Sequence, residues 1–172
     1  LPVAKLRVST EEVPFRWMTG TQSHEGMAGT KAAIDHIAWI GREVSGNEGL
    51  VRREALKVAY TAIEEHEREL CLRMIHGLTE IDGLKIWGIT NPERIAERSP
   101  TVSFTHPKMT ASEIGSLLAE RGIFVWAGNF YALELTEALG LEPEGVLRVG
   151  LLHYNSMEEV DFFLSSIKEI LQ

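Results

Sequence analysis

Arg148 stands in the middle of an apolar run, GVLRVGLLHY, at residues 145–154. A strand there sends Leu147, Val149 and Leu151 to one face and Arg148 and Gly150 to the other, because successive side chains alternate. Arginine rarely goes inside without an anion. Its planar fork matches a carboxylate through two parallel hydrogen bonds, and Gly150 leaves room for a ligand to approach. An ion pair with one of the 25 acidic residues accounts for Arg148 as well. A second stretch, Thr19-Gly20-Thr21-Gln22-Ser23, precedes a segment with helical periodicity. One such residue suffices to cap a helix. A run of them at a helix start also suits an anion, since free N–H groups and the helix dipole both favour negative charge. Capping and phosphate binding are both open for this run. A third stretch, WAGNFYALEL at 126–135, reads as a strand end, a glycine-containing turn and a helix start near Phe130. Sites are often built on such loops, and a plain turn with two core aromatics fits equally.

Other chemistries find less support. His24, His36, His66, His76, His106 and His153 form no HExxH and no HxxxH pair on a helix, and Cys71 has no cysteine partner, so a metal site is not expected. His66 falls on an apolar helix stripe and reads as a satisfied packing histidine. Cys71 lies inside the same helix and reads as structural. The run Glu64-Glu65-His66-Glu67 reads as a solvated helix face. The sequence contains no GxSxG, P-loop or GxGxxG.

The bulk properties narrow the class. The chain has 172 residues, 44% of them hydrophobic and 24% charged, which suits one domain or one domain plus an appended segment. A net charge of −8 argues against nucleic acid or an anionic membrane as partner. A single cysteine makes a reducing cytoplasm the expected location. No stretch approaches the roughly 20 apolar residues of a membrane span. The first residues, LPVAKLRVSTEEVPF, are no signal peptide and lack an initiator Met, so they read as the middle of a longer protein.

The elements that must carry these residues follow from periodicity. Residues 1–18 read as extended. Residues 23–41 read as a helix with Met27, Ile34, Ile37 and Ile40 at near-helical spacing and Gly41 as its stop. SGNEG at 45–49 is a turn. Residues 50–78 form a long helix, about 40 Å at 1.5 Å per residue, with the stripe Val51, Ala55, Ala59, Ile63, His66, Leu70, Met74, Leu78. Strands are expected at 84–89, 101–105, 123–126 and 145–154, and 91–100 as a polar loop. Thr110 to Glu113 and Ser156 to Glu159 are capping-box signatures ahead of helices, with Gly122 ending the first. A short helix spans 130–141. The expected class is α+β: a small antiparallel or mixed sheet with helices on one face, preceded by two helices, one of them a long bridge. The front helices have no sheet of their own to cover.

Three stretches together, TGTQSHEGMAG, GIFVWAGNFYALEL and LRVGLLHYNSMEEVD, resemble the C-terminal part of class V aminotransferases and cysteine desulfurase-like enzymes, which use pyridoxal phosphate (PLP). HEREL, GLKIWG and SPTVSF fill the intervening positions, so the resemblance runs from about residue 16 to 172. It implies a fold type I enzyme: residues 1–49 from the end of a large PLP domain, 50–82 as the bridging helix and 83–172 as the small C-terminal domain. The family's Schiff-base lysine lies upstream, and none of Lys5, Lys31, Lys57, Lys85, Lys108 or Lys168 has suitable surroundings. The chain alone is therefore expected to be inactive.

The same resemblance assigns roles. Gly20 and Thr21 contact the PLP phosphate of the partner subunit across a homodimer, Arg148 grips the α-carboxylate of an amino-acid substrate, and Asn129 and Tyr131 line the substrate site. One departure matters. Tyr131 stands where desulfurases carry a nucleophilic cysteine, and a phenol cannot accept sulfur as a persulfide. Desulfurase-like lyase, aminotransferase and epimerase all stay open. The competing expectation is a free-standing, non-catalytic module that dimerises or binds a small carboxylate.

Overall fold

A computed structural model describes residues 7, 8, 10–18 and 20–172. Thr19, Lys5 and most of the first nine residues thus lie outside the described part. The chain divides into two compact units, one ending at Tyr60 and one from Thr61 to Gln172.

The first unit holds a 3-10 turn at Phe15–Trp17, within the segment expected to be extended, and helix α1, His24–Ser45. Ser23 caps α1, its hydroxyl accepting the Gly26 N–H at 3.3 Å. The helix does not stop at Gly41. It runs four residues on and ends at Gly46, which turns left-handed at φ 63° and donates to the Arg42 and Glu43 carbonyls. Gly41 is buried because the backbone of the next helix crosses it. A Cβ there would lie 1.8 Å from the Ala55 carbonyl oxygen. Met27 and Ile34 are exposed, whereas Ile37 and Ile40 are half-buried. Helix α2, Arg52–Thr79, begins in this unit. On its stripe Ala55, Ala59, Leu70, Met74 and Leu78 are buried, Ile63 and His66 are half-buried, and Val51 is exposed.

The second unit is built on one four-stranded sheet in the order β1-β2-β4-β3, antiparallel throughout. The strands are β1 Lys85–Trp87, β2 Thr101–Thr105, β3 Trp126–Gly128 and β4 Val146–Gly150. Ile86, Phe104, Leu147 and Ala127 stand side by side across it, with Val102 and Val149 in the next row. These residues join Leu70, Met74 and Leu78 of α2, Ile114 and Leu118 of α3 (Ala111–Glu120), and Val160, Phe163 and Ile167 of α5 (Met157–Leu171) in a single apolar core. Both capping boxes form. Thr110 and Glu113 exchange their bonds at 3.2 and 2.8 Å, and Ser156 and Glu159 at 3.3 and 2.8 Å.

Several boundaries differ from the sequence expectation. The 91–100 segment contains a 3-10 helix, Pro92–Glu97, started by the Asn91 side chain on the Glu93 N–H with proline at its first turn. The third strand begins at Trp126, not Ile123, because the Ile123 N–H is committed to the Leu118 carbonyl at 3.0 Å and holds the link to the end of α3. The helix expected at 130–141 is α4, Leu133–Ala138, since Phe130 and Tyr131 have left-handed backbones. β1 and β4 are shorter than expected. At the end of β4 the Leu151 N–H still meets the Pro100 carbonyl opposite it at 3.0 Å, but proline has no N–H to return and the ladder ends there.

Candidate functional site

The sheet has a second face, opposite the core formed with α3 and α5. Lys85, Trp87, Thr101, Ser103, Thr105, Trp126, Arg148 and Gly150 point to it, and none of these is buried. Arg148 lies on β4, the second of the two inner strands, with Ser103 of β2 on one side and Trp126 of β3 on the other. Its main chain is fixed by both ladders, so only the side chain has freedom. Among the described residues the guanidinium meets no carboxylate and no hydrogen-bond acceptor. Its contact is the face of Phe130, with the guanidinium carbon 3.8 Å from the ring centroid. That distance places the cation over the ring face, within cation–π range. A ring contact leaves the guanidinium N–H donors without a carboxylate or carbonyl acceptor among the described residues. Further along the same face Lys85 lies over the Trp87 ring at 3.6 Å, and the Trp87 indole N–H donates to the Thr105 hydroxyl at 3.1 Å.

Phe130 reaches Arg148 from an unusual turn. Phe130 and Tyr131 have φ of 55° and 61°. Non-glycine residues there cost about 1–2 kcal/mol each, because Cβ crowds the carbonyl oxygen. The surrounding bonds offset that cost. The Asn129 side-chain oxygen accepts the Tyr131 N–H at 3.2 Å, and the Ala132 N–H returns to the Asn129 carbonyl at 2.9 Å. The Asn129 amide donates to Glu142 at 3.2 Å, and the same Glu142 oxygen accepts the buried Thr136 hydroxyl. Each end of the Asn129 amide therefore has one internal bond, leaving one donor and one lone pair. Below the turn, Gly145 lets β4 start against the end of β3, since a Cβ there would fall 2.2 Å from the Gly128 carbonyl carbon. Tyr131 itself is fully exposed.

The residues expected at a phosphate lie in the other unit. Gly20 and Thr21 are exposed, in the link before α1, and a Cβ on Gly20 would meet nothing within 4 Å. Ser23 does the capping, which leaves the Thr21 hydroxyl without a hydrogen bond among the described residues. Four of the lysines are engaged elsewhere: Lys31 with Asp35, Lys57 with Glu54, Lys168 with Glu80 and Lys85 on Trp87. Cys71 is buried, and burial pushes its thiol above the ordinary value against a smaller downward pull from the Arg98 charge. His66 meets the Asn155 carbonyl at 2.9 Å. Among the described residues no cluster of three His, Cys, Asp or Glu side chains could hold a metal, and no helix is long and apolar enough to cross a membrane.

Sequence reasoning passed over Phe130, Thr136 and Glu142. No local pattern links Phe130 to Arg148 across 18 positions. The Asn129 signal was there, because asparagine often closes a turn on the amide two residues on.

Residues 3–163 match the family described as Aminotransferase class-V. The chain is 36% identical to the aminotransferase-like protein FGM3 of Gibberella zeae over 117 residues, 67% of this chain and 29% of that protein. It is 27% identical to a cysteine desulfurase of Serratia proteamaculans over 92% of this chain and 33% of that one. Among solved structures, the apo cysteine desulfurase of Thermococcus onnurineus NA1 superposes with a TM-score of 0.71 at 26% identity, covering 92% of this chain and 34% of that one. The chain thus spans about a third of the length of the relatives it matches.

Proposed function

From the premise that this chain belongs to the class V aminotransferase family, we propose that it supplies the carboxylate-gripping and phosphate-contacting parts of a PLP-dependent enzyme acting on an amino acid. One observation carries the reading: Arg148 is fixed in an inner strand, faces away from the core formed with α3 and α5, and has no acidic partner among the described residues. An arginine kept for structure would be expected to meet a carboxylate, and 25 acidic residues were available. In this reading the Arg148 fork takes both oxygens of the substrate α-carboxylate and sets the amino acid's orientation. Asn129 and Tyr131 border the substrate from the adjoining loop. The free Thr21 hydroxyl and the unobstructed Gly20 backbone suit a phosphate dianion, reached across a homodimer. PLP, when bound, supplies the electron sink for the bond broken at the α-carbon. The lysine that carries PLP lies outside this chain in the same reading, so the chain alone has no activity.

The sulfur chemistry of desulfurases does not extend to Tyr131, which has no thiol. Cys71 does not replace it, being buried and hard to ionise. Transamination, epimerisation, or lyase chemistry with an external sulfur acceptor all fit the residues present.

Arg148→Lys tests the reading. It keeps the charge and loses the paired fork. Affinity for L-alanine and L-cysteine is expected to fall by about 1.5–3 kcal/mol, roughly tenfold to hundredfold, with the melting temperature unchanged. Unchanged affinity with a markedly lower melting temperature would overturn the carboxylate role.

A further inference from the structure

We propose that Phe130 is a positioning residue for Arg148: its ring holds the guanidinium plane so that the in-plane N–H pair faces an incoming carboxylate. The inference rests on the reading of Arg148 given above and adds to it a second residue and a reason for the strained turn. An arginine side chain has several rotatable bonds, and an unpartnered one on an open face samples many directions. A fork that must find two carboxylate oxygens at once gains most from being held. Here the usual means of holding it, an acidic partner, would also occupy the donors the ligand needs. An aromatic face does not. It restrains the cation through its quadrupole and its area, and it accepts no hydrogen bond in the plane of the donors.

The turn is what makes the stack possible. The left-handed φ values of 55° and 61° at Phe130 and Tyr131 turn the chain back just past the end of β3, and the Phe130 ring comes over β4. Asn129 fastens that conformation by accepting the Tyr131 N–H, and Glu142 fastens Asn129 while also taking the Thr136 hydroxyl of α4. Phe130 is thus mounted on a braced support, and its neighbour Tyr131, fully exposed, is not. The difference also separates the two aromatics chemically. Replacing Tyr131 leaves the Arg148 stack untouched, whereas replacing Phe130 removes it.

The test follows the Arg148 side-chain N–H resonances of the 172-residue chain during titration with L-alanine, with ethylamine as the control that lacks a carboxylate. Three variants are compared with the parent chain: Phe130→Leu, which keeps apolar bulk without a π face, Phe130→Tyr, which keeps the face, and Arg148→Lys. The ring face is expected to shift the Arg148 signals upfield in the parent chain and in Phe130→Tyr, and not in Phe130→Leu. Phe130→Leu should raise the alanine concentration needed by roughly threefold to tenfold, the worth of a cation–π contact at a half-exposed site. Phe130→Tyr should restore it, ethylamine should produce no Arg148 response, and the melting temperature of Phe130→Leu should stay near that of the parent. An unchanged alanine titration in Phe130→Leu, with Arg148→Lys still defective, overturns the positioning role and leaves the carboxylate reading standing. Equal weakening in Phe130→Leu and Phe130→Tyr, with a lower melting temperature in both, assigns Phe130 to loop folding and overturns the proposal. No Arg148 response to alanine in the parent chain overturns the carboxylate reading and this inference with it.

Discussion

The two faces of the sheet are built from neighbouring residues of the same strands and follow opposite rules. On the helix side, Phe104 and Leu147 are fully buried in a close-packed core. On the other side, one residue along each strand, Ser103 and Arg148 stand half-exposed beside Trp126. The first face fixes the fold by excluding water. The second keeps polar donors and aromatic faces available and is held in place by the first. The contrast teaches that the arginine's precision comes from the strand beneath it: β4 is paired on both sides and packed from below, so Arg148 keeps its place without a partner of its own.

The sharpest way to break this comparison is to empty a position on each face. Phe104→Ala should destabilise the chain by about 3–5 kcal/mol, read as a large fall in urea midpoint or melting temperature, because it leaves a cavity in a closed core. A loss under about 1 kcal/mol would mean the helix-covered face is loosely packed. Cutting the anchorage of the covering helix comes next. Ser156→Ala removes the α5 cap and should cost about 1 kcal/mol. Its partner adds a pH dependence. The Ser156 N–H and the Asn155 side chain bond to the Glu159 carboxylate and hold its pKa below the ordinary glutamate range. A lowered folded pKa means the contribution is full above the ordinary value and is lost as the pH falls through the lowered one. Glu159→Gln should therefore lower stability near neutrality, where the contribution is full, change little below about pH 4, and so flatten the stability profile, as acid-unfolding curves would show. The smallest effect belongs to the open face. Trp126→Ala, at a residue 70% exposed, should shift stability by no more than about 0.5 kcal/mol. A loss comparable to that of Phe104→Ala would show that this face is covered after all.

What could be read from the sequence was what is local. Both capping boxes, the alternation in TVSFT and the opposite facing of Arg148 and Leu147 depend on residues within a few positions of one another, and all are present in the fold. The errors came where a distant group decided the outcome. Gly41 was expected to end a helix by its conformation. It lies inside the helix, where the Ala55 backbone comes too close for a side chain. The late start of β3 depends on a hydrogen bond from Ile123 back to α3. The turn at Phe130 and Tyr131 defeats propensity altogether, since two aromatics are poor candidates for left-handed backbone and only Asn129 and Glu142 make them tolerable. The proposed site divides the same way. The outward facing of Arg148 could be read from the strand pattern, and the Phe130 ring that lies against it could not.

Gly41 also has a mechanical meaning. With no side chain, it forms a notch in α1 into which the Ala55 carbonyl is seated. Sliding or rotating α1 by one residue would carry the notch about 1.5 Å along the axis and 100° around it, and would drive Ile40 or Arg42 against that carbonyl. The contact works as a detent: it permits one setting of α1 against the start of α2 and blocks the adjacent ones.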